Sequence, residues 1–343
     1  MNSLMGRASL WSIVFVIIFA FISLSTCSKQ EEKVSEIKIC SQMPIGHHIS
    51  KAIDIFCDKA NRKSNGHLVF KNFPGGQLMK DSEVPHAIST GTIEMAQTFL
   101  PWWKGIVPRV NPYSARIYDN RDHNLRVIRG PLLQYQSRLM EEKGMCKIIA
   151  PILYNSSGGY ILTKPVRRVG DMKGMKIRIP SKSSAAEVRS LGGAPVVMSS
   201  ADVYMALQRG TIDGAVSGIT SFYDRKWHEV AKHLLILRVA MADFHIVANV
   251  KWWNNLAADL QQIIIDAARD ATEYCDMQVY NKEEEAFIKL KEKGVQINQI
   301  SHKEYNTSWK PIIEPALRSA ALKEFGERLI NQYDRWIEET KSE

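Results

Sequence analysis

Residues Leu256 to Lys293 contain neither glycine nor proline. That uninterrupted stretch predicts one nearly continuous helix about 57 Å long, enough to lie across two domains. The chain has 343 residues, and at roughly 100–200 residues per domain two are expected. Upstream, strands and helices alternate. Glu36 to Cys40 alternates apolar and polar and reads as a strand. Ile49, Ile53, Phe56 and Ala60 recur at helical spacing up to the stop at Asn65-Gly66. Further strands are expected at His67 to Phe73, Thr92 to Phe99 and Cys146 to Leu153. Helices are expected at Ser82 to Ser89, with Pro85 in the first turn, and at Leu125 to Lys143. Helices on both faces of a sheet make this an α/β unit. A second unit begins near Tyr154, with strands at Gly159 to Thr163, Met175 to Ile179, Pro195 to Met198 and Ile212 to Ser217. Its helices run over Ser184 to Leu191 and from Ser199-Asp202 to Gly210. Leu234 to Val239 and His245 to Ala248 read as strands that cross back to the first unit. Tyr305 to Glu343 reads as helix broken at Pro311 and Pro315.

The first 26 residues stand apart. A short start with one charge, Arg7, leads into an uncharged apolar run from Leu10 to Ile22, then Ser23-Leu24-Ser25-Thr26-Cys27. The run is shorter than the roughly 20 residues of a membrane span. This order of charged start, apolar middle and small-residue end reads as an export signal over 1–26. Leu24-Ser25-Thr26-Cys27 resembles a bacterial lipobox, which makes Cys27 a lipidation candidate. The alternative is ordinary cleavage near Ser25 with Cys27 a free thiol. Cys40, Cys57, Cys146 and Cys275 lie on interior strands and helices, where free cysteine packs as a small hydrophobe, and no bridge is expected among them.

Composition narrows the function. With 45% hydrophobic and 24% charged residues the chain is neither disordered nor a disulfide miniprotein. A net charge of +9 is spread along the sequence, with no basic run carrying interleaved aromatics, which argues against nucleic acid. No nucleophile elbow, phosphate loop or zinc-protease motif occurs, so no catalytic residue and no cofactor is assigned and the chain reads as a binding protein rather than an enzyme. His47-His48 has no third ligand at useful spacing, so capping is preferred to metal. Ser156-Ser157-Gly158-Gly159 is either an anion cradle or a hinge turn, and the turn is preferred because a strand follows. Glu283-Glu284-Glu285 reads as a solvated helix face.

The sharpest segment runs from Asp171 to Gly218. It holds Lys173-Gly174-Met175-Lys176-Ile177-Arg178-Ile179-Pro180, then Leu191-Gly192-Gly193-Ala194-Pro195-Val196. Val203-Tyr204-Met205-Ala206-Leu207-Gln208-Arg209-Gly210-Thr211-Ile212-Asp213-Gly214 completes it. Phe73-Pro74-Gly75-Gly76-Gln77-Leu78 and Ile88 to Ala96 add two blocks upstream. In order and spacing these blocks resemble the solute-binding proteins of tripartite ATP-independent periplasmic (TRAP) transporters. The resemblance covers roughly residues 37 to 248, and the long helix fits it beyond.

The resemblance implies a type II periplasmic-binding-protein fold: two α/β lobes around a cleft, with a long helix spanning both. The first lobe would take residues 34–154 and about 245–283. The second would take 155–244 and about 284–343. Arg178 falls on the arginine that holds the ligand carboxylate. A planar fork beside a rigid proline suits bidentate binding, whereas without the family block a surface or ion-paired arginine is the plainer reading. Ser217 falls where the family often has a ligand-binding asparagine, and Gly218 where it has proline. A hydroxyl offers fewer hydrogen-bonding groups than an amide and leaves room in the cleft. Trp103 and Phe222 are the aromatic candidates for stacking on the ligand, against the plain alternative of core packing. Tyr154 at the lobe boundary and Ser181 after Pro180 complete the ligand-binding set. The implied function is capture of an organic acid, an aromatic or branched monocarboxylate by the cleft's aromatics, and its delivery to membrane permease subunits. The chain would be a periplasmic monomer, tethered if Cys27 carries lipid. The alternative is an exported sensor of the same fold feeding a signalling receptor.

Overall fold

In the computed structural model, which describes residues 36–112, 121–237 and 239–341, the alternation at the start of the chain forms a central strand. β1 (Glu36–Cys40) buries Ile37 and Ile39 and exposes Glu36 and Lys38. It pairs in parallel with β2 (Val69–Phe73) and β3 (Met95–Thr98), as strands joined by helical crossovers must. The helix His48–Lys63 supplies one crossover and buries Ile49, Ile53, Phe56 and Ala60, the residues whose spacing predicted it. The export segment and Cys27 lie outside the described residues. Cys40, Cys57, Cys146 and Cys275 are free and buried.

Two long strands join the lobes. β4 (Cys146–Leu162) is one strand of 17 residues, where the sequence suggested two separated at Tyr154. Its first part pairs with β9 (Val239–Asn249) in a sheet ordered β2-β1-β3-β9-β4. Its last residues, Gly158 to Leu162, pair with β7 (Gly214–Gly218) in a second arrangement. There β7 is followed by β5 (Lys176–Ile179) and β6 (Ala194–Val197). On the other side, β8 (His233–Ile236) pairs with β4 and with β10 (Gln296–Gln299). The β4–β9 register slips at Ile148/Ala150, Leu153/Asn155 and Asn155/Ser157. Such bulges bend and twist a strand, and here they lie where it leaves one lobe for the other.

The long helix runs from Ala258 to Glu292, about 52 Å at the usual rise. Ile264, Ala267, Ala271, Cys275 and Val279 enter the core under the first sheet, and Ala286 and Leu290 enter that under the second. Glu283 falls between them and is buried, contrary to the solvated face expected. Its carboxylate accepts from Ser156 N at 2.8 Å, Ser157 N at 3.0 Å and Ser156 Oγ at 2.5 Å. The Gly/Ser run thus does cradle an anion, and the anion is the protein's own.

Two helix boundaries differ from the sequence reading. Leu125 to Lys143 is split into Arg121–Arg129 and Pro131–Gly144, because Pro131 has no N–H and Gly130 takes a non-helical ψ of −114°. At the C-terminus Pro311 and Pro315 do not break the helix: Pro311 opens Lys310–Phe325, Pro315 is carried inside it, and the break comes at Gly326. Residues Tyr305 to Leu317 pack in the second lobe. Ala321 to Ile337 return to pack on Val127, Ile128 and Leu132 of the first, so the tail expected wholly in the second lobe divides between the two.

Candidate functional site

Arg178 lies on β5 with apolar Ile177 and Ile179 as neighbours, and its side chain is 1% exposed. Nε donates to Met198 O at 2.9 Å, Nη1 to Val216 O at 3.3 Å and Nη2 to Ser200 Oγ at 2.9 Å. The guanidinium lies 5.9 Å from the centre of the Trp227 ring. Among the described residues no carboxylate pairs with it, so the ion-pair reading fails. A guanidinium carries five N–H groups. Three are engaged, leaving one on each Nη, the geometry of a bidentate carboxylate clamp. Burial lowers its pKa to about 10, an effect Asp81 opposes and Arg225 reinforces, so it stays charged at neutral pH.

Around it is a cavity of about 230 Å³ between the lobes. Tyr154, Ser181 and Ser217 line it together with Arg178, so four of the six expected ligand residues meet there. The Tyr154 hydroxyl is 2.8 Å from both Ser217 Oγ and Ser221 Oγ and accepts from Gly218 N at 3.1 Å. A Cβ on Gly218 would stand 3.1 Å from the tyrosine ring, which explains the small residue there. Ser181 caps the turn that follows, accepting from Ser183 N at 3.3 Å.

Trp103 and Phe222 do not line the cavity. Trp103 is 0% exposed in the first-lobe core and donates from Nε1 to Thr98 Oγ1 at 3.0 Å. Phe222 is buried in the second-lobe core against Trp227. The short helix Leu100–Gly105 turns the adjacent tryptophans to different sides, so Trp102 reaches the cavity. Phe244 joins it, edge-on to Trp102 at 5.5 Å and to Tyr154 at 4.8 Å. Arg225 also lines the cavity and was missed. Its signal was a lone arginine between Phe222-Tyr223 and Trp227, close after Ser217.

Polar contacts bridge the mouth. Lys80 pairs with Asp202 at 3.0 Å. Buried Asp81 accepts from Ser200 N at 3.0 Å, and Arg225 Nη2 donates to Gln42 O at 2.6 Å. His47 caps the helix His48–Lys63, its Nδ1 accepting from Ile49 N at 3.2 Å, so Nε2 carries the proton and donates to Thr220 Oγ1 at 3.0 Å. Burial holds the His47 pKa well below its ordinary value, with the neighbouring His48 next in effect. These contacts hold the lobes closed over the cavity.

The model of the bacterial extracellular solute-binding proteins, family 7, matches residues 40–324. The C4-dicarboxylate-binding periplasmic protein DctP of Rhodobacter capsulatus is 25% identical over 76% of this chain and 78% of its own length. The 2,3-diketo-L-gulonate-binding periplasmic protein YiaO of Escherichia coli is 26% identical over 71% of this chain and 74% of its own. Among solved structures, a TRAP periplasmic solute-binding protein of Actinobacillus succinogenes with bound L-galactonate superposes with a TM-score of 0.80 at 28% identity. It covers 90% of this chain and all of that one. One from Sulfurospirillum deleyianum with bound succinate gives 0.80 at 24%, covering 87% and 98%. With a match across most of the chain and two α/β lobes closing on a cavity, the chain belongs to family 7 of the bacterial extracellular solute-binding proteins, a family of binding proteins rather than enzymes.

Proposed function

We propose that the protein is the periplasmic solute-binding subunit of a TRAP transporter. It captures a small organic acid by clamping the carboxylate on Arg178 and delivers it to the permease subunits in the membrane. The observation that carries this reading is a buried arginine that has no acid partner among the described residues and keeps two N–H groups free of them at the wall of an interlobe cavity. Such a charge is costly to desolvate, and a bound carboxylate supplies the missing partner. The relatives described as binding dicarboxylate, diketogulonate, galactonate and succinate support an acid as the ligand. No helix among the described residues is long and apolar enough to cross a membrane. A lipid on Cys27 would tether the protein beside them. Calorimetric titration with a panel of carboxylic acids tests the reading. Binding should be lost in Arg178→Ala and absent for the corresponding amides; undiminished affinity in that variant would remove the central claim.

A further inference from the structure

The two free N–H groups of Arg178 suffice for one carboxylate, and the same cavity holds a second guanidinium. Arg225 follows the helix Ile219–Asp224 and is half-buried at the cavity wall. Nη2 donates to Gln42 O at 2.6 Å and lies 3.7 Å from the Met43 sulfur. The N–H groups on Nε and Nη1 have no acceptor among the described residues, and no carboxylate bonds the side chain. Of the nearby acids, Asp224 and Asp81 act on Arg225 through charge without bonding it. Asp81 accepts from Ser200 N, and Glu187, on the same wall, accepts from the Tyr160 hydroxyl. Part of the wall is aromatic, among serines and aliphatic side chains: Phe244 stacks on Phe99 at 5.0 Å and meets Trp102 and Tyr154 edge-on.

We propose that Arg225 is a second ligand anchor, and that the cavity selects acids carrying two anionic groups on an apolar, ring-bearing body. This rests on Arg178 as the first anchor. An acid with an uncharged far end leaves Arg225 desolvated and unpaired when the cleft shuts, which disfavours closure. A second carboxylate gives those N–H groups charged acceptors, and the aromatic wall offers ring faces and edges to the body between. Burial lowers the pKa of Arg225, and Arg225 contributes to lowering that of Arg178, as expected of two cations awaiting anions.

The test is calorimetric titration of the wild type, Arg225→Met and Arg178→Ala with phthalate, isophthalate and terephthalate, each against benzoate. At least one diacid should bind the wild type about 100-fold more tightly than benzoate. Arg225→Met should abolish that preference, lowering diacid affinity relative to benzoate about 100-fold whatever happens to the benzoate affinity itself. A wild type with no preference for a diacid, including one that binds none of these acids, overturns the proposal. So does an equal loss for diacid and monoacid in Arg225→Met, since Arg225 would then act only through its Gln42 contact on closure. Arg178→Ala separates the two claims. Retention of all affinities there refutes the first anchor, while the Arg225→Met comparison still decides the second.

Discussion

Arg178 is surrounded by neutral acceptors, two carbonyls and a hydroxyl, and this fixes how its substitutions should behave. Losing a buried charged contact costs about 3–5 kcal/mol, so ligand affinity in Arg178→Ala should fall by two to four orders of magnitude. Arg178→Lys should recover only part of it, because a point donor replaces a fork. A melt without ligand should also fall in Arg178→Ala, because three protein acceptors lose their donor, so binding is compared at a temperature where both variants are folded. Trp103 should behave in the opposite way. Trp103→Ala opens a core cavity and should cost about 3–5 kcal/mol in urea unfolding, whereas Trp102→Ala should mainly weaken binding. His48 carries a pH dependence. Its Nε2 donates to Leu153 O at 3.1 Å, and its buried Nδ1 has no partner among the described residues, so a second proton finds no acceptor there. Burial lowers its pKa to about 4 and that of His245 to about 3. Between the ordinary histidine value near 6.5 and these values, only the unfolded chain takes up the protons. Stability should therefore fall as pH drops from about 6.5 towards 4, by up to about 1.4 kcal/mol per pH unit for each histidine. His48→Gln keeps a donor for Leu153 O and should reduce that slope by one proton's worth, measured from urea midpoints across the range.

At the scale of the element, β4 shows why the lobe boundary was hard to read. A change of lobe would be expected to break the strand, yet the backbone ladder continues through it, with bulges absorbing the twist. The Gly/Ser composition at Ser156 to Gly159 signals close packing instead. Ser156 and Ser157 wrap the Glu283 carboxylate, and a Cβ on Gly159 would stand 2.6 Å from Leu235 O. Gly159→Ala should push β8 away from β4 and cost about 1–3 kcal/mol, read as a lower urea midpoint. The helix over Leu125 to Lys143 was over-extended because its apolar spacing continues across Pro131, and periodicity alone does not register a missing N–H. The prolines at 311 and 315 mislead in the other direction: Pro311 sits at a helix start, where an N–H would have no partner, and Pro315 is carried inside the helix at the loss of one backbone hydrogen bond.

The whole molecule is two sheets joined by β4 and β9, with one helix entering both cores and polar contacts closing the opposite side. Ligand binding should favour this closed form, because charge–charge attraction at Arg178 strengthens as water leaves. Small-angle scattering should give a smaller radius of gyration with saturating ligand than without. Replacing both Lys80 and Asp81 by alanine should reduce that compaction and speed ligand dissociation, while ligand-free melting changes little. The same radius in both states would refute closure.

Local pattern by itself determined the α/β alternation, the long helix and the strand that carries Arg178. These depend on periodicity, turn residues and spacing, which act between residues near in sequence. The motif blocks added the two-lobed fold. Tertiary structure alone decided which of two adjacent tryptophans faces the cavity, that Glu283 is buried, and that the chain's tail returns to the first lobe. It also brought Arg225 to the same cavity as Arg178. Each of these depends on what another segment places opposite: Thr98 for Trp103, Ser156 for Glu283, Val127 for the tail and Gln42 for Arg225. A side chain's partner across the fold is not written in its neighbours along the chain.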